Sequence, residues 1–305
     1  MISRRKFIGG LFGTWAGITF LPDKLLSKQL RPIKRTIPSS GELLPIIGMG
    51  TSRTFDVGSN KETIAQLAVV MRVFFDGGGA LIDSSPMYGS SERVLGELLK
   101  KTTNKENLFS ATKVWTYGRE SGIRQMNESL KLWGLKSFDL MQVHNLRDWK
   151  VHIKTLRDWK EEGKIRYIGI TTSHGRDHEE FEKIQKTERL DFAQFSYNIE
   201  DRVAEKRLLP LAREKNIATI INRPFQRGGL FKKVRGKPLP EWASEFDCTS
   251  WGQYFLKFIA SNPDVTNIIP ATSNVKHVAD NMAAGFGRLP DEKTRIRMIE
   301  YYEKV

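Results

Sequence analysis

From about residue 43 onward, short apolar runs alternate with amphipathic stretches, and this alternation constrains the fold of the 305-residue chain more than any other feature. The runs begin with Pro45-Ile46-Ile47-Gly48 and Ala80-Leu81-Ile82-Asp83, recur at 108–112, 138–143, 165–170, 192–195 and 217–221, and end at 266–270. Their length suits buried strands. Between them, segment 62–75 places Ile64, Leu67, Ala68 and Met71 at helical spacing, and segments 91–100, 123–133, 153–162, 178–187, 204–214 and 251–259 behave alike. Eight β/α units in one domain predict a (β/α)8 TIM barrel, an α/β fold. A doubly wound open sheet usually carries a Gly-x-Gly-x-x-Gly turn after its first strand; Gly48-Met49-Gly50-Thr51 departs from that pattern. One connection is long, from Asn222 to about Ser250, and it holds the basic residues Arg227, Lys232, Lys233, Arg235 and Lys237.

The net charge of +14 invites a nucleic-acid reading, but half of it lies in residues 1–35, where eight basic residues face Asp23 alone. No face interleaves aromatic and basic residues, so no nucleic-acid partner is expected. The chain opens Ser3-Arg4-Arg5-Lys6-Phe7, and Phe7 to Leu21 is uncharged and glycine-rich. A basic start followed by a short apolar run reads as an export signal, too short for a comfortable membrane span. The paired arginines with Phe7 resemble a twin-arginine signal, which serves proteins exported folded. That implies the twin-arginine machinery as a partner and a periplasmic or otherwise exported location. No Ala-x-Ala cleavage site precedes Leu30, so an uncleaved N-terminal tether is an alternative to a free product. Residues 1–35 are therefore read as signal and linker, and 36–305 as the barrel domain.

Cys248 is the one cysteine, which excludes an intramolecular disulfide and a Cys-rich metal site. His174 and His178 stand at i, i+4 without an evident third ligand, so no metal is expected.

In a barrel, chemistry sits at the carboxyl ends of the strands. The second run ends in Asp83, with Tyr88 five residues on; the third leads to Lys113 and the fourth to His144. A tyrosine is protonated at neutral pH and can act as an acid. A nearby lysine would lower its pKa, Asp83 would hold that lysine charged, and a neutral His144 would orient a carbonyl oxygen. The set suits protonation of an oxygen as hydride reaches carbon. No side chain donates hydride, so a nicotinamide cofactor is implied. Trp115 and Trp149 stand near these strand ends as candidate walls of a substrate pocket; Trp149 equally suits the start of the next helix.

Across residues 43–290 the chain resembles the aldo-keto reductase family. The carriers are Gly48-Met49-Gly50-Thr51, LIDSSPMYGSSE (81–92), ATKVW (111–115), FDLMQVH (138–144), IGIT (168–171), AQFSYN (193–198) and IPATSNVKHVADN (269–281). The resemblance implies NAD(P)H-dependent reduction of small aldehydes or ketones, with Tyr88 as acid, Lys113 and Asp83 tuning it and His144 orienting the carbonyl. It implies cofactor contacts from Gly50 and Thr51. Gln194 matches a glutamine that binds the nicotinamide amide. Thr171 and Thr172 stand where relatives have Ser-Asn. Asn222-Arg223-Pro224 replaces a stacking tyrosine before Ser-Pro. Thr272, Ser273, Asn274, His277 and Asn281 fall in the segment that holds the adenosine 2′-phosphate, which favours NADPH, with NADH as the alternative. The basic loop 227–237 either folds over the pyrophosphate or is a solvated surface. Two other uses of such a barrel remain open: a non-catalytic sensory or regulatory nucleotide-binding subunit, and an isomerase or lyase that retains the nucleotide.

Overall fold

The structure is a computed structural model and describes residues 31–305. The N-terminal segment with Arg4 and Arg5, on which the export reading rests, lies outside the described residues. Lys34 and Arg35, assigned above to the linker, belong instead to the first strand.

Two strands, β1 (Lys34–Thr36) and β2 (Leu43–Pro45), form an antiparallel hairpin. Eight parallel strands follow: β3 (Met49–Gly50), β4 (Leu81–Asp83), β5 (Phe109–Val114), β6 (Phe138–His144), β7 (Ile165–Thr171), β8 (Phe192–Ser196), β9 (Ala218–Asn222) and β10 (Asn267–Ile268). Each strand pairs with the next in sequence. The ring closes where Ile47 bridges Ile268 in parallel, with Gly48 N–H on the Ile268 carbonyl at 2.8 Å and Ile268 N–H on that of Ile46 at 2.8 Å. This is the (β/α)8 barrel expected from the periodicity.

The helices fall where the periodicity places them. The first, α1 (Lys61–Asp76), starts at Asn60, whose side chain accepts the Thr63 N–H, and buries Ile64, Leu67, Val70, Met71 and Phe74 against the barrel. Then come α2 (Ser91–Lys101), α3 (Arg119–Trp133), α4 (Trp149–Glu161), α5 (His178–Thr187), α6 (Val203–Lys206) and α7 (Leu208–Glu214). The long connection after β9 is not structureless: it holds two 3-10 turns and α8 (Gly229–Lys233). The chain ends through α9 (Trp251–Ala260), α10 (Val275–Ala283) and α11 (Glu292–Lys304). Among the described residues no helix is long and apolar enough to cross a membrane.

Side chains that point into the barrel change character along its axis. Near the amino ends, Phe109, Tyr167 and Phe192 pack ring to ring at 5.5–5.8 Å, over Ile37 and Leu44 of the hairpin. Towards the carboxyl ends the inward positions turn polar: Asp83, Lys113, Gln142 and Gln194 are all buried. Gly169 makes room for them. A Cβ there would stand 3.0 Å from Gln142 Cγ and 3.1 Å from the Phe192 carbonyl oxygen. The hairpin and aromatic layer seal one end, so the polar layer opens only at the other.

Candidate active site

Asp83 is the last residue of β4. A tight turn, Ser85 to Tyr88, closed by the Tyr88 N–H on the Ser85 carbonyl at 2.9 Å, brings the phenol back over the strand ends. Lys113 comes from β5, one strand over, and is completely buried. Its Nζ donates to Asp83 Oδ2 at 2.5 Å and to the Ser84 carbonyl at 2.6 Å. The same Nζ lies 5.2 Å from the centre of the Tyr88 ring, and the Tyr88 and His144 rings meet edge to face at 5.7 Å. The structure thus brings together all four residues expected from the strand ends.

A buried ion pair persists only when its remaining lone pairs are satisfied. Here Asp83 Oδ1 accepts Gln142 Nε2 at 3.1 Å and Gln194 Nε2 at 2.9 Å, while Gln194 Oε1 accepts Thr171 Oγ1 at 3.0 Å. Thr51 Oγ1 contacts the Asp83 carbonyl and Ser84 Oγ at 3.0 and 2.8 Å. Burial works against the Lys113 charge, but the Asp83 carboxylate foremost outweighs it and holds the lysine's pKa above the ordinary value. Tyr88 differs from the expectation. Burial pushes its pKa up, and the Lys113 charge offsets only part of that, so in the free protein the phenol is held above its ordinary value. Lys113 is in place to stabilise a phenolate once one forms.

His144 is neutral: burial first, then the charges of Lys113, Arg176 and Arg147, hold its pKa well below the ordinary imidazole value. Its Nδ1 lies 2.8 Å from Ser85 Oγ, and that oxygen accepts the Met87 N–H at 3.1 Å. With the Ser85 proton directed onto Nδ1, the imidazole keeps its own proton on Nε2 as a donor.

Asp83, Tyr88 and His144 line one end of a cavity of about 1110 Å³, and Lys113 lies outside its wall. Gly50, Thr51, Thr171 and Gln194 line it, as expected, but the Gln194 amide is already committed to Asp83 and Thr171. Asn222 lines it too; its side chain accepts Ser196 Oγ at 2.7 Å and donates to the Thr172 carbonyl at 2.9 Å, so an amide stands in the wall where the family resemblance puts an aromatic ring. Thr172 serves its own loop, with Oγ1 on the Arg176 carbonyl at 2.7 Å. At the far end Thr272, His277 and Asn281 line the wall. Asn281 is 5% exposed, and its amide has no hydrogen-bond partner among the described residues. Ser273 and Asn274 are not in the wall. The Ser273 carbonyl accepts Gln66 Nε2, and the Asn274 side chain caps α10 by accepting the Lys276 and His277 N–H groups.

Neither tryptophan lines the cavity, but Trp115 stays beside His144, its ring 6.4 Å from the imidazole and stacked under Arg147 at 4.2 Å. Trp149 does not: it is the first residue of α4, and its Nε1 donates to Glu180 at 3.1 Å. Of the basic loop, Arg227 reaches the cavity, while Lys233 lies over the Tyr302 ring at 4.1 Å. The cavity also takes in Arg53, His174, Arg176, Phe231 and Trp251, which no strand-end argument selects. Two of the connections that line the cavity, those after β7 and β9, are strained. His174, Arg223 and Arg227 have φ of 65°, 52° and 55°, each costing roughly 1–3 kcal/mol, a burden that collects at functional sites. Cys248 is buried and its thiol is pushed up to about 11, which makes it unreactive.

The parallel barrel and the residues gathered at its mouth place the chain in the class of barrel oxidoreductases. It belongs to the aldo/keto reductase family, whose model matches residues 46–298. It is 24% identical over 257 residues to the methylglyoxal reductase YeaE of Escherichia coli, covering 82% of this chain and 89% of that protein. To the L-galactose dehydrogenase of Arabidopsis thaliana it is 25% identical, covering 82% and 87%. An aldo/keto reductase from Klebsiella pneumoniae, solved in complex with NADP and acetate, superimposes with a TM-score of 0.73 at 20% identity, covering 88% of this chain and 95% of that one.

Proposed function

We propose that the protein is an NADPH-dependent reductase of small aldehydes or ketones, exported by the twin-arginine route. The observation that carries the catalytic part is the convergence of Tyr88 and neutral His144 on one cavity end, backed by the buried Lys113–Asp83 pair. The donor set suits a dinucleotide: the Asn281 amide, open to the cavity and unpaired among the described residues, for a base, and the guanidinium groups of Arg223 and Arg227 in the wall for a diphosphate. His277 and exposed Lys276 would face a 2′-phosphate. The NADP complex of the Klebsiella relative points the same way. When bound, the nicotinamide supplies a hydride to the carbonyl carbon. His144 Nε2–H holds the carbonyl oxygen in place. The Tyr88 hydroxyl passes its proton to that oxygen, and Lys113 stabilises the phenolate left behind. Asp83 keeps Lys113 charged and fixed.

A nucleotide-binding subunit without turnover is the second reading, favoured by Asn222 standing in the place of a stacking ring. Titrating the full chain with NADPH by fluorescence and then adding a panel of aldehydes and ketones separates the two. Reduction consumes NADPH; binding with no loss across the panel removes the reductase reading. For export, Arg4-Arg5-Lys6-Phe7 and the uncharged stretch behind it are the support. Replacing Arg4 and Arg5 with lysine should hold the protein in the cytoplasm, and normal export of that variant defeats the twin-arginine assignment.

A further inference from the structure

Guanidinium groups gather at the mouth of this cavity without counterions. Arg176 comes from the loop after β7, Arg223 and Arg227 from the loop after β9, and Arg53 from the loop after β3; all four line the cavity. Among the described residues none has a carboxylate within ion-pair distance, whereas Arg157, Arg166, Arg213 and Arg288 elsewhere each bind one. The carboxylates in the cavity wall are turned to other donors. Asp83 holds Lys113, Asp56 accepts the Ser90 N–H and hydroxyl, and Asp280 accepts Ser250 and Gln253. Among the described residues the mouth is therefore positive, with Asp201 near Arg223 but beyond ion-pair distance.

The arginines are placed rather than scattered. Arg223 contacts the His174 imidazole, and both residues are held in left-handed backbone. Arg176 is pinned along one edge, Nε on the Ser173 carbonyl and Nη2 on Ser173 Oγ, both at 3.2 Å. Its other N–H groups have no acceptor among the described residues, and a planar guanidinium with a free edge matches the two oxygens of a carboxylate. If a cofactor diphosphate takes Arg223 and Arg227, Arg176 is left over. It stands close enough to His144 to be among the charges that keep the imidazole neutral, as Arg227 does to act on Tyr88.

We propose that the site selects carbonyl compounds that also carry a carboxylate, and that Arg176 is the residue that reads the anion. This rests on the reductase reading for its carbonyl and on the arginine cluster for its charge. The chemistry is unaltered: hydride adds to the carbonyl carbon, the Tyr88 proton to its oxygen, and the carboxylate passes through into a hydroxy acid. Arg176 is exposed, so the selection acts through steering and capture and weakens with salt.

The test uses the full chain saturated with NADPH and pairs of equal shape but different charge. Calorimetry compares benzoate with benzamide, and turnover compares 4-formylbenzoate with 4-formylbenzamide. The carboxylate member should be preferred by about tenfold or more in both, a ratio that shrinks as salt is raised. Arg176→Gln should bring the ratio to about one while the NADPH dissociation constant moves by less than about twofold. Equal binding of benzoate and benzamide to the unmodified protein overturns the proposal. So does a variant that loses NADPH affinity with no change in the ratio, since Arg176 would then serve the cofactor. If neither aldehyde is turned over but benzoate is still preferred through Arg176, the anion site stands and the reductase reading falls.

Discussion

The Ser85 hydroxyl lies 2.8 Å from Nδ1 of His144 and at the same time accepts the Met87 amide at 3.1 Å. One hydroxyl proton is available to this pair, and sending it to Nδ1 keeps Nε2 protonated toward the cavity. Ser85→Ala removes that bias. A hydrogen bond of this kind contributes about 1–2 kcal/mol, so kcat/KM for carbonyl reduction should fall by roughly 5–30-fold. Steady-state kinetics on Ser85→Ala and Ser85→Thr check this; threonine should recover part of the loss because it returns the hydroxyl.

Tyr88 stands over the site, and its raised pKa keeps it protonated across neutral pH. Tyr88→Phe should lower turnover by about 100-fold to 10,000-fold, the range for a lost general acid. NADPH binding by fluorescence should be nearly unchanged. Unaltered turnover would take Tyr88 out of the mechanism.

Lys113 and Asp83 are a pair out of contact with water. Lys113→Met leaves the Asp83 carboxylate with the Gln142 and Gln194 amides alone. Breaking one side of such a pair costs about 3–5 kcal/mol, which should lower the thermal midpoint by roughly 10 °C. Adding Asp83→Asn should restore part of that midpoint but no activity. Thermal melts of the single and double variants measure it.

His144 makes stability fall on the acid side. Its folded pKa is held well below the imidazole value of about 6.5 that the unfolded chain shows. Below about pH 6.5 the unfolded chain therefore binds a proton that the native state refuses. Stability is flat above that pH and falls below it, by up to about 1.4 kcal/mol per pH unit for this group. Denaturant unfolding between pH 5 and pH 8, compared with His144→Gln, should show a shallower acid slope in the variant.

Much of this was legible in the chain itself. The short apolar runs of the strands and the period of about 3.6 in the helices are local, and in a barrel of parallel strands every carboxyl end faces the same mouth. Asp83, Lys113 and His144 could therefore be grouped from their places at run ends, and Tyr88 from the short turn behind Asp83. Wherever groups compete for partners, tertiary structure decided. The Gln194 amide is drawn into the Asp83 network, Asn274 spends its side chain capping α10, and Trp149 turns to Glu180 on the neighbouring helix. Tyr88 shows the same limit in its electrostatics: the lysine beside it is visible in the chain, but the burial that outweighs it is not. The sequence alone determined the barrel and the four residues at its mouth, because apolar runs and helical periods are written within a few residues of each other. Which hydrogen bonds those residues spend, and that Arg176, Arg223 and Arg227 share one mouth without counterions, depends on loops far apart in the chain and is settled only when the barrel closes.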